Sequence, residues 1–192
     1  MKKLFLLLPL LTLGAIGVQA QGYVLESNVD VNIPSPWTDV PIYDALSGLP
    51  LGSSYYAQLY AGVAGINNDS LLTAVDAVDQ YHAFLDAAPG DFLVGEVMIN
   101  GVAVGATATL QVRVWPVTFA SWAAAYSAAL NDPSIHVGKS ALFQQVLGAA
   151  GSNTAIAANP GFVTFTISSV PEPSAIGLGL LGFGMLLARR RR

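Results

Sequence analysis

The chain has no cysteine among its 192 residues, which excludes thiol catalysis, cysteine-ligated zinc and redox switching. Folding does not need it. A body of about 150 residues buries roughly two thirds of its unfolded surface without covalent or metal staples. Basic residues are almost as scarce: Lys2, Lys3 and Arg189, Arg190, Arg191 and Arg192 lie at the chain ends, leaving Arg113 and Lys139 between them. Against these two stand Glu26, Asp30, Asp39, Asp44, Asp69, Asp76, Asp79, Asp86, Asp91, Glu96 and Asp132. A body this acidic repels phosphate backbones and has no Lys/Arg cluster to displace counterions, so nucleic acid is excluded as a partner.

Catalytic signatures are missing as well. His82 and His136 are the only histidines, and neither a G-x-S-x-G elbow nor an HExxH helix accompanies them. Gly138-Lys139-Ser140 lacks the upstream glycine of a phosphate-binding loop. Asn67-Asn68-Asp69-Ser70 and the pair Asp76 and Asp79 offer the hard oxygens that calcium takes, but without EF-hand or nonapeptide spacing. They read as solvated acidic loops. Asp86, Asp91 and Glu96 are close in sequence, yet glycoside cleavage depends on carboxylate separation in space. The expectation is a non-enzymatic protein with no cofactor and no metal.

What is present is concentrated at the ends. Residues 1–20, MKKLFLLLPLLTLGAIGVQA, combine Lys2 and Lys3, an apolar stretch and the small-residue ending Val18-Gln19-Ala20. That order predicts a secretory signal helix cleaved after Ala20. At the far end the apolar run from Ala175 to Ala188 falls short of the ~20 residues that comfortably span a bilayer, although flanking residues extend it. Arg189, Arg190, Arg191 and Arg192 after it stay on the cytoplasmic side, as do Lys2 and Lys3, which leaves the body across the membrane. Gly177-Leu178-Gly179-Leu180-Leu181-Gly182 matches the dinucleotide fingerprint, but no βαβ unit and no downstream acid follow it.

Residues 170–192 have a further order: Val170-Pro171-Glu172-Pro173, an apolar helix, then arginines. This resembles the PEP-CTERM sorting signal of exported bacterial proteins, sometimes labelled an ice-binding protein C-terminal domain. The resemblance does not imply ice binding. It implies recognition by an exosortase-type membrane protease, cleavage near Pro171-Glu172-Pro173, transient membrane attachment through the tail, and delivery to the cell envelope or extracellular polysaccharide. The prolines suit such a site, since they lack backbone donors and favour stiff extended geometry.

The body, residues 21–169, reads as one all-β domain. Tyr55, Ala57, Leu59 and Ala61 alternate with Tyr56, Gln58 and Tyr60, and Leu110, Val112 and Val114 with Gln111, Arg113 and Trp115. Further strands are predicted at Tyr23–Val31, Val40–Tyr43, Ala83–Leu85, Phe92–Ile99, His136–Val146 and Phe162–Ile167, with a hairpin turn at Asn100-Gly101. Many short strands favour an antiparallel β-sandwich of jelly-roll or immunoglobulin-like type. One helix is expected over Phe119–Leu130, with Phe119, Trp122, Tyr126 and Leu130 as its packing stripe. The strings AQLYAG, LQVRVW and GKSALF resemble those of bodies bearing this same tail, and that resemblance implies a single continuous domain.

Two uses compete for the face made of Tyr56, Gln58, Tyr60, Gln111, Arg113 and Trp115. Flat aromatics beside amides suit sugar rings, which would make the body a carbohydrate-binding module. The simpler use is a second packed side of the sandwich, with Arg113 paired to an acid.

Overall fold

Alternation at period two dominates the body and becomes twelve strands among the described residues, eight of them of four residues or fewer. The structure, a computed structural model, describes residues 20–30, 38–75 and 82–170. Residues 1–19 of the expected signal, the calcium candidates Asp76 and Asp79, and the tail from Pro171 through Arg192 lie outside the described residues. In chain order the strands are β1 (Gln21–Ser27), β2 (Val29–Asp30), β3 (Thr38–Asp39), β4 (Tyr43–Asp44), β5 (Tyr55–Val63), β6 (Thr73–Ala74), β7 (His82–Ala83), β8 (Leu93–Ala103) and β9 (Thr107–Pro116). Helix α1 (Trp122–Ala129) follows, then β10 (His136–Lys139), β11 (Phe143–Val146) and β12 (Thr166–Ser169). Among the described residues, no helix is long and apolar enough to cross a membrane.

The larger sheet runs β4-β12-β10-β9-β5-β6, with β11 also on β9 and β7 also on β5. Its pairings are antiparallel except β12 with β4, which is parallel. A second sheet pairs β1 with β8, and β2 pairs with β3 in a third. Val24 of β1 and Val97, Ile99 and Val102 of β8 bury against Ala57, Leu59 and Ala61 of β5 and Ala108, Leu110, Val112 and Val114 of β9. The apolar faces legible in the sequence therefore meet in one core between two layers.

The central strand β9 is buried at every position from Ala108 to Trp115, because both of its faces are covered. The second cover is α1, which begins where the Ser121 hydroxyl accepts the Ala124 amide at 3.2 Å. Its buried residues are Trp122, Ala125 and Ala129, while Tyr126, expected inside, is exposed and stacks on Trp122 at 5.5 Å between centroids. Alanines at the contact let the helix lie close over Trp115, and a tyrosine there would hold it off.

Asn100-Gly101 is not a hairpin turn. Strand β8 continues through it as a bulge: Gln21 pairs with Ala103, while Gly22 pairs with Ile99. Gly101 takes φ 77°, and its amide donates to Gln21 Oε1 at 2.9 Å. The bulge restores phase, so that Val97, Ile99 and Val102 all point inward where strict alternation would have turned Val102 out. The chain reverses at Val104-Gly105 instead, where the Ala106 amide donates to Ala103 O at 3.1 Å and Gly105 has φ 77°. The predicted strand His136–Val146 is likewise divided. Ser140 interrupts it by bonding Val112 twice, amide to carbonyl at 2.9 Å and hydroxyl from amide at 3.0 Å.

Candidate functional site

The register of β5 on β9 brings the six residues of the aromatic and amide face together as three direct pairs. Tyr56 lies opposite Trp115, Gln58 opposite Arg113 and Tyr60 opposite Gln111. The juxtaposition is real, but the face is not open. Trp115 is 0% exposed, Gln58 5%, Gln111 3% and Arg113 8%. Trp115, Trp122, Ala125, Ala129 and Val137 form a second apolar cluster, with Tyr56 and Tyr60 packed on its edge. Of the two uses open to this face, the enclosure fits the packed second side, roofed by α1.

Arg113 organises that layer. Its Nε donates to Gln111 Oε1 at 2.9 Å, and its Nη2 donates to the carbonyl of Asp69 at 2.7 Å. Its guanidinium sits 3.9 Å from the Tyr60 ring centroid and 5.6 Å from that of Trp122. Burial lowers the Arg113 pKa, with Tyr60 and Asp69 acting in the opposite sense, and burial raises that of Tyr60. Stacked between rings and anchored at both ends, the guanidinium fills the role for which its planar fork is suited. The acid beside it, Asp69, spends its carboxylate on Lys139, whose hydrogen bond holds the Asp69 carboxyl below the usual range. The calcium candidate Asn67-Asn68-Asp69-Ser70 is therefore a capped turn, with Asn68 Oδ1 accepting the Ser70 amide at 3.0 Å.

The three clustered acids separate. Asp86 accepts the Ser53 amide at 3.2 Å, and Glu96 accepts the Gly151 amide at 2.6 Å and the Asn153 side chain. Asp91 instead meets Asp39, a partner that sequence proximity did not indicate. Burial and the contact with Asp39 push the Asp91 carboxyl up to about 7, since two touching carboxyls do not both ionise. The cause of the encounter is Asn28, wholly buried at the end of β1. Its Nδ2 donates to Val40 O at 3.0 Å and to Gly90 O at 2.7 Å, and its Oδ1 accepts the Phe92 amide at 2.7 Å. One carboxamide ties down the neighbours of both acids.

Asp39 borders a cleft of about 550 Å³ that also includes Pro41, Tyr43, Asn159, Phe162 and Thr164. Its polar groups are committed internally: Asn159 bonds Gln144 O at 2.6 Å and the Gly161 amide at 2.8 Å, and the Thr164 hydroxyl bonds Pro41 O. Carboxyls in hydrogen-bond contact are also closer than the roughly 5 Å of a retaining glycosidase or the ~6.5–9.5 Å of an inverting one. His136, the better-placed histidine, is fastened to Asp44 at 2.9 Å. Burial raises the Asp44 pKa, but the Leu46 amide and His136 more than offset it and leave it lowered. This pair joins β10 to β4. His82 lies on the edge strand β7, opposite Ala57.

The tail leaves the body at a defined place. Ser169 is the last residue of β12 and pairs with His136 of β10, and Val170 packs against the Trp115 and Trp122 cluster. Of the sorting residues Val170, Pro171, Glu172 and Pro173, only Val170 is among the described residues, and it is part of the fold. At the opposite end, β1 begins at Gln21, the residue after the expected cleavage point. The chain is thus a strand-rich body continued directly by a C-terminal signal. Residues 169–192 match the PEP-CTERM protein-sorting motif, so this is a PEP-CTERM domain-containing protein and a substrate of an exosortase sorting system. The motif implies export and membrane-associated processing. No curated protein and no solved structure matches the chain.

Proposed function

We propose that the chain is an exported, non-enzymatic β-sandwich of jelly-roll or immunoglobulin-like type. In this reading residues 1–20 are removed on export, and the tail helix holds the precursor at the membrane. An exosortase-type protease then cuts near Pro171-Glu172-Pro173, and the body passes to the envelope or the extracellular polysaccharide. The observation that carries the proposal is the sorting motif at 169–192 joined without a spacer to the last strand, β12. The two-layer core between β1/β8 and β5/β9 supports the sandwich. The closed Arg113 layer supports a structural body over a carbohydrate-binding module, because a sugar could reach Trp115 only if α1 lifted away.

The test is expression in the native host with Pro171, Glu172 and Pro173 all changed to alanine, following size and cell fraction. The variant is expected to accumulate uncut in the membrane fraction, while the parent appears shortened in the envelope or matrix. Identical processing of the two would reduce the tail to a plain anchor.

A further inference from the structure

The place where the tail leaves the body limits how the precursor can sit. Five Cα steps separate Val170 from Ala175, the first residue of the apolar run. At ~3.6 Å per step they reach at most about 18 Å in any conformation. A compact body of this size has a radius of gyration of roughly 15 Å and is about 40 Å across. While the apolar run is in the bilayer, the side of the body bearing Val170 must therefore face the lipid. The tether is too short to turn the opposite side toward it.

The surface beside Val170 is suited to that position. Val170 packs against the cluster of Trp115, Trp122, Ala125, Ala129 and Val137, so α1 is one of the elements beside the exit. Ala123, Ala124, Tyr126 and Ser127 are exposed there, with Val117 also 36% exposed just before the helix. From Val114 to Asn131 no residue is charged, although the body as a whole carries eleven acids and two bases. Elsewhere that excess would repel an anionic lipid surface, whereas here the acids at hand are Asp132 at the end of the helix and Asp44, which is held by His136. A tyrosine 39% exposed among small neighbours also matches the composition of membrane interfaces.

We infer that the α1 face is a lipid-docking surface of the uncut precursor, holding the body against the membrane until the tail is cut. The inference rests on the anchoring reading above. Because the chain has no cysteine, single cysteines report the arrangement cleanly. Ala124→Cys probes the α1 face, and Met98→Cys on β8 probes the layer on the other side of the central sheet. The full-length precursor is made in a host without the processing enzyme and treated with a membrane-impermeant maleimide. Labelling at Ala124→Cys is expected to run about fivefold slower than at Met98→Cys, as a docked population exceeding the free one by about four to one requires. Dissolving the membrane with detergent removes the shielding surface, and inserting about fifteen Gly/Ser residues between Val170 and Pro171 extends the tether's reach; either abolishes the difference.

Equal labelling of both cysteines in the membrane-bound precursor would overturn the docking inference and leave the anchor intact. Shielding of Ala124→Cys that appears only when the processing enzyme is present would also overturn it, assigning the face to a protein. Recovery of the precursor away from membranes would instead remove the anchoring reading itself.

Discussion

The two faces of the β5/β9 layer are built from the same strands by opposite means. Toward β1 and β8, Leu59, Leu110, Val112 and Val114 are each 0% exposed, and cohesion there is apolar area without direction. Toward α1, Gln58, Gln111, Arg113 and Trp115 are equally enclosed, but cohesion depends on donors finding acceptors. Trp115 Nε1 donates to Phe119 O at 3.1 Å, and Gln111 Nε2 to Ser140 O at 3.0 Å. A polar face can be buried as deeply as an apolar one if each group is paired, but it tolerates replacement differently.

Substitutions on each face test that difference, the largest first. Leu59→Ala or Leu110→Ala should cost about 2–5 kcal/mol by urea denaturation, from lost transfer energy and the cavity left behind. A loss under 1 kcal/mol would mean that the layers do not share a close-packed core. Arg113→Met keeps the volume and strips the donors from Gln111 Oε1 and Asp69 O, at about 2–3 kcal/mol. Arg113→Lys should recover only part of this, because an ammonium lacks the fork that reaches both acceptors. Full recovery by lysine would show that charge alone matters there.

A smaller effect is expected where β12 meets β10. A Cβ on Gly138 would stand 2.8 Å from Ile167 Cγ2 and 3.0 Å from backbone atoms, so Gly138→Ala should cost about 1–3 kcal/mol by crowding. Thermal denaturation and amide exchange of Val137 and Ser168 would read it, since both lie in that pairing. The smallest is a pH slope. Asp91 has a folded pKa raised to about 7, so its contribution is complete below the ordinary carboxylate range and is lost as pH rises through 7. Asp44 and Asp69, both lowered, act oppositely and lose their contributions in acid. Asp91→Asn should therefore flatten the fall in stability between about pH 4 and pH 7, and an unchanged slope would mean that the Asp91 carboxyl is not raised.

Much of this was legible residue by residue. The alternation in Tyr55–Ala61 and Leu110–Trp115 assigned each side chain to its correct face, because the pleat sends neighbours to opposite sides whatever surrounds them. The sorting motif was equally plain, since a processing enzyme reads a short segment in order. The helix was placed within a few residues, but its stripe was misjudged. Ranking by size put Tyr126 inside, whereas close approach to Trp115 selects Ala125 and Ala129. Asn100-Gly101 was read as a turn from its local preference, and the inward phase of Val102 made it a bulge.

The candidate site shows the same division. Alternation puts Tyr56, Gln58 and Tyr60 on one face of their strand and Gln111, Arg113 and Trp115 on one face of theirs, but which of them are neighbours is set by the register of β5 on β9. That α1 covers them depends on a helix packing back over strands already paired. The meeting of Asp39 and Asp91 had no local signal, because it follows from Asn28 holding Val40 and Gly90 across 12 and 62 residues. Periodicity, the C-terminal sorting motif and charge are properties of neighbouring residues and are legible in the sequence. What covers a face, which acids touch and where the tail emerges are set by long-range pairing and burial, and only the folded chain decides them.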